Sequence, residues 1–163
     1  MNFTVLTKKL SKNLNRVRNN LKNSRIKTFK SQTKNLILIR EFVREFFASK
    51  RISNEDLEKI ILAIDEACTN KIKHAYKYDE TKDIIIKLRL IEDEFIAEIS
   101  DFGLPFNPDE IPVPDLKENY FNKKSGGYGI FLMRQLMDEV KYEFKRDGEN
   151  KIILKKKLNI KNA

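Results

Sequence analysis

The chain has 163 residues, 40% of them hydrophobic and 35% charged, which suits one domain with a real core and a strongly solvated surface. No apolar run approaches the roughly 20 residues that span a bilayer. The basic N-terminus lacks an apolar h-region with a cleavage site, and the single cysteine, Cys68, excludes an intrachain disulfide. The expected compartment is therefore the cytoplasm. The net charge of +9 is unevenly placed: residues 1–40 contain 11 Lys or Arg and no Asp or Glu, whereas residues 41–163 hold 22 basic and 24 acidic groups. With the globular part near neutral, direct nucleic-acid binding by the domain is not expected.

Residues 1–25 read as a basic arm. Leu6, Leu10, Leu14, Val17 and Leu21 recur at helical spacing between Lys and Arg, but Asn13, Asn15, Asn19 and Asn20 weaken an isolated helix. A solvated extension and a basic amphipathic helix against an acidic partner or a membrane surface both fit this pattern. Nucleic-acid contact is the minor third reading.

The domain is expected over residues 26–160. An edge strand is predicted at Ile26–Ser31, then a helix over Lys34–Ala48 with Leu36, Ile39, Val43, Phe46 and Phe47 on one side. Ser53 with Asp56 resembles a capping box and opens a helix running to about Tyr76. Ile84–Ile91 and Phe95–Ser100 form a hairpin, and residues 102–128 form a long loop with all four prolines and three of the five glycines. A helix over Ile130–Val140 precedes a closing hairpin of Lys141–Lys145 and Lys151–Leu158 around Asp147-Gly148. That order predicts an α+β fold, a two-layer α/β sandwich with helices on one face of a mixed, mostly antiparallel sheet.

Three clusters carry chemistry. In the first, Glu66, Asn70 and His74 lie within about 80° of one another on a helix, opposite Leu57, Ile61, Ile64, Cys68 and Ile72. An Asn carbonyl oxygen suits magnesium, and a carboxylate one turn away can act on a hydroxyl. The second is Asp101-Phe102-Gly103-Leu104-Pro105-Phe106 after a strand, where a carboxylate can accept from an exocyclic amine and glycine admits a flat ring. The third is Ser125-Gly126-Gly127-Tyr128-Gly129 leading into a helix, a nest suited to phosphates. Taken singly they are an exposed helix face, a strand-ending turn and a glycine-rich helix entry.

Taken in order, they resemble the N, G1 and G2 boxes of the GHKL ATPase superfamily. The runs Glu66-Ala-Cys-Thr-Asn70 with His74-Ala75-Tyr76, Asp101 to Phe106, and Gly126 to Val140 look specifically like the anti-sigma-factor serine kinases. The resemblance covers about residues 27–158. It implies ATP and Mg²⁺ as cofactors, Glu66 as general base and Asn70 as the magnesium ligand. It further implies Asp101 on the adenine amino group with Gly103 beneath the ring, and Gly126, Gly127 and Gly129 on the phosphates. Residues 107–125 would be the ATP lid, with Lys124 either facing the phosphates or solvated. His74 belongs to the N-box pattern, where a structural hydrogen bond is expected rather than a phosphoacceptor role. The implied activity is serine/threonine protein kinase and anti-sigma factor, regulating transcription by binding a sigma factor and phosphorylating an antagonist protein. The alternative is a nucleotide-responsive binding module without productive transfer. The resemblance also raises homodimerisation. Two departures stand out: Lys71 replaces a small residue and is expected to point to solvent or phosphate, and Asn150-Lys151 stand where some relatives carry adenine-contacting threonines.

Overall fold

The computed structural model describes residues 7–12, 14, 23–105, 108 and 128–159. Five strands form one sheet in the order β1-β2-β3-β5-β4: β1 Ser24–Lys30, β2 Asp83–Ile91, β3 Glu94–Asp101, β4 Glu139–Phe144 and β5 Asn150–Lys157. All four pairings among these strands are antiparallel. Three helices join them: α1 Leu36–Phe47, α2 Asn54–Asn70 and α3 Tyr128–Leu136.

Alternation builds the sheet's inner face. Ile84, Ile86, Leu88 and Leu90 of β2, Phe95, Ala97 and Ile99 of β3, and Ile152 and Leu154 of β5 are buried at every second position. They meet Ile39, Phe42, Val43, Phe46 and Phe47 of α1, Ile60, Ile61, Ile64 and Cys68 of α2, and Met133 of α3 in a single core. Phe46, Phe47 and Phe95 pack with ring centroids 5.0 to 6.0 Å apart, and burying each such ring stabilises the fold by about 1.5–3 kcal/mol. On the other face of the sheet Glu98 holds Lys151 at 2.9 Å and Arg89 at 2.5 Å.

Local signals set the element ends. Ser53 caps α2, its hydroxyl oxygen accepting from the Asp56 N–H at 3.0 Å. The β2–β3 turn places Glu92 at φ 56°, and Gly148 takes φ 89° in the closing hairpin, where the lack of a Cβ removes the strain. One predicted end is corrected. The helix stops at Leu136 instead of Val140, because the Asp138 N–H donates to the Lys155 carbonyl at 2.9 Å and Glu139 and Val140 enter β4. Within the arm, residues 7–12 are helical, with Leu10 and Leu14 exposed.

Candidate nucleotide and phosphoryl-transfer site

The polar strip of α2 forms one wall. Arg40 anchors it from α1 through a bidentate pair with Asp65, at 3.0 and 2.6 Å. The next residue, Glu66, faces the start of α3. A Cβ added to Gly129 would lie 2.5 Å from Glu66 Oε2 and 3.7 Å from Asn70 Oδ1. Glycine is therefore what lets α3 begin directly over both side chains. Burial, and then the negative charge of Asp65, push the Glu66 carboxyl above the usual range, with Lys73 opposing. Asn70 Nδ2 is buried with no hydrogen-bond partner. An unpaired buried amide N–H costs about 1–3 kcal/mol, and only a hydrogen-bond acceptor placed beside it could offset that cost.

The α-helical step holds through Lys71, whose N–H still donates to the Ala67 carbonyl, and then changes. Lys71–Ala75 form a π-turn, closed by the Tyr76 N–H donating to the Lys71 carbonyl at 3.0 Å. The extra residue shifts the azimuth of all that follows, a common feature of functional helix ends. His74 lies exposed, its imidazole held below the usual range by partial burial and by Lys77 and Lys73. Lys77 and Tyr78, at φ 50° and 64°, end the helix.

The end of β3 is stapled to this π-turn. The Tyr76 hydroxyl donates to the Asp83 carbonyl at 2.7 Å and accepts from the Phe102 N–H at 2.9 Å. The Leu104 N–H donates to the Ala75 carbonyl at 2.9 Å. A Cβ on Gly103 would come within 2.7 Å of the Ala75 carbonyl carbon and 2.9 Å of the Tyr76 ring. Close packing against protein therefore requires glycine here, independently of any ligand.

Asp101 is completely buried. Its Oδ1 accepts from the Gly103 N–H at 2.8 Å and from Asn150 Nδ2 at 3.1 Å. Asn150 reaches it because the two residues are directly paired across β3 and β5, and its amide also donates to the Gly103 carbonyl at 2.9 Å. The other oxygen, Oδ2, lies 2.5 Å from Lys71 Nζ. That contact is an ion pair without good hydrogen-bond angles, so Oδ2 keeps unused acceptor capacity. The sequence expectation that Lys71 points to solvent or to phosphate is therefore corrected: its ammonium is buried against Asp101. Lys71 keeps α-helical backbone angles and its N–H still bonds the Ala67 carbonyl, so the ordinary helical step puts it two turns past buried Ile64, on the inward side, and the buried carboxylate is the group that compensates its charge.

The structure therefore brings Glu66, Asn70 and Gly129 together, and seats Asp101 and Gly103 against the end of the same helix. Lys124, Gly126, Gly127 and the expected lid over 107–125 lie outside the described residues, apart from Pro108. Sequence reasoning passed over Tyr76 and Lys71 as partners of the second cluster. For Asn150, the strand register was the available signal.

Residues 29–156 match the family model of the histidine kinase-like ATPase domain. Over 115 residues the chain is 34% identical to the serine-protein kinase RsbW of Listeria monocytogenes, covering 68% of this chain and 72% of that protein. Over 131 residues it is 32% identical to the anti-sigma F factor of Clostridium perfringens, covering 80% of this chain and 94% of that one. Among solved structures, the RsbU and RsbW domains of a Mycobacterium tuberculosis protein superpose with a TM-score of 0.60 at 19% identity. That match covers 83% of this chain and 32% of the other. The SiaB-SiaC complex of Pseudomonas aeruginosa gives 0.59 at 13% identity, over 93% and 99% of the two chains. These structural likenesses bear on the fold.

Proposed function

The chain belongs to the anti-sigma-factor serine kinase family of histidine kinase-like ATPases, and from that premise we propose that it transfers the γ-phosphoryl group of ATP to a serine or threonine of an anti-sigma-factor antagonist and also binds a sigma factor. The observation that carries this reading is the meeting of Glu66 and Asn70 beneath Gly129 at the start of α3.

In the proposed reaction Glu66 accepts the proton of the incoming hydroxyl. The hydroxyl oxygen bonds to the γ-phosphorus as the bond to the bridging oxygen breaks and ADP leaves. A carboxylate raised above its ordinary range holds such a proton better. Asn70 is the residue that would hold magnesium, which at this place supplies neutralisation of phosphate charge. The start of α3, with Gly126, Gly127 and Gly129, receives the phosphates; Lys124 adds a positive charge from the lid over 107–125. Asp101 and Gly103 bound the base site.

Regulation of transcription, a cytoplasmic location and a homodimer complete the proposal; no described helix is long and apolar enough to cross a membrane. The basic arm supplies an electrostatic contact to an acidic partner or membrane surface. The test is incubation of the full-length protein, co-purified with its partners, with γ-labelled ATP and magnesium. Label is expected on a serine or threonine of a bound partner. Tight ATP binding with no labelled protein would leave only a nucleotide-responsive binding module.

A further inference from the structure

The Lys71–Asp101 pair sits where the proposed site would select its base. Asp101 is wholly buried and the Lys71 side chain is 8% exposed. Oδ1 already takes the Gly103 and Asn150 donors, so Oδ2 is the only oxygen left for an exocyclic amine. It is also the oxygen against which the Lys71 ammonium lies, at 2.5 Å.

We propose that Lys71 is a specificity-determining residue of the nucleotide site, relaxing its preference for an amino purine over a carbonyl purine. The inference rests on the nucleotide-site reading above. A bare carboxylate can only accept, so it favours the 6-amino group of adenine and repels a 6-carbonyl oxygen. An ammonium beside it can only donate, and it reverses that preference at the same edge. A purine amino group reaches Oδ2 only when Lys71 swings away, which breaks a buried ion pair. A 6-carbonyl group instead accepts directly from the ammonium and leaves the pair in place. The two opposed donors and acceptors bring the two classes of base toward equal affinity.

The experiment is calorimetric titration of the full-length protein, with magnesium, against ATP and ITP, which differ at the 6-position and in the adjacent ring proton. Wild type is expected to bind the two within about tenfold of each other. Lys71→Met keeps the side-chain length and removes the charge, and should raise the ATP-over-ITP ratio by about ten- to a hundredfold, the range of one hydrogen bond to a charged group. Lys71→Arg keeps the cation and should stay near the wild-type ratio. A wild-type ratio of a thousand or more overturns the proposal without recourse to any variant, and so covers the case in which Lys71→Met does not fold. An unchanged ratio in folded Lys71→Met, with ATP still bound, overturns it while leaving the nucleotide site intact. Failure of the wild type to bind either nucleotide overturns the site reading itself, and this inference with it.

Discussion

Glu66 and Asp101 are both carboxylates, yet their surroundings prepare them for different work. Glu66 is half-buried and stands beside the negative Asp65, so its proton is held more firmly than usual. As a base it acts only when ionised, and activity should be lost as pH falls through that raised pKa. The acid limb of the transfer rate is expected above the ordinary glutamate value of about 4.3. A pH–rate profile checks this, and a limb at or below that value would contradict the assignment. Asp101 is compensated by Lys71 and two hydrogen-bond donors. Asp101→Ala leaves a buried, unpaired ammonium, and should lower the unfolding free energy by about 3–5 kcal/mol. Urea denaturation measures it. A loss below about 1 kcal/mol would mean that the ion pair is not buried in solution.

At the scale of elements, the start of α3 makes a sharper distinction between stability and chemistry. Gly129→Ala puts a methyl group where Glu66 Oε2 now lies, 2.5 Å from the added Cβ. The carboxylate is the end of a flexible side chain and can move aside, and alanine favours the helix by about 1 kcal/mol. Stability is expected to change by no more than about that amount, while misplacement of the base slows transfer by about 10²-fold. Thermal melts and transfer rates on the same preparation separate the two effects. Equal loss of both would show that Gly129 serves packing alone. The same elements explain what could be read from the chain. The hairpins followed from apolar, β-branched runs parted by Glu92–Glu94 and by Asp147-Gly148, and the Glu66–Asn70 face from helical periodicity. The exposure of His74 agrees with that polar face, whereas the buried pairing of Lys71 with Asp101 did not follow, because it depends on the end of β3 packing against the end of α2, a long-range contact that periodicity does not carry. Nor could periodicity end α3, since Asp138 to Val140 are captured by β5 through long-range pairing.

For the whole molecule, charge and core are segregated. The sheet and its three helices share one core, whereas the basic excess lies in the arm and the first elements. Deleting residues 1–22 spares β1, which starts at Ser24. Cooperative unfolding and nucleotide binding are expected to persist, and the salt sensitivity of partner association to fall. Loss of cooperative unfolding on deletion would place the arm within the core.

The claim that this molecule is a serine kinase working through Glu66 is tested most directly by one paired titration. Transfer rate from γ-labelled ATP to a bound partner, and ATP affinity, are measured for wild type and Glu66→Gln in the same buffer. Glutamine keeps the side chain's size but cannot take a proton. The account predicts a transfer rate lower by about 10² to 10⁴-fold, with ATP affinity nearly unchanged because Asn70, Asp101 and Gly129 remain. Equal transfer rates in the two proteins would contradict it.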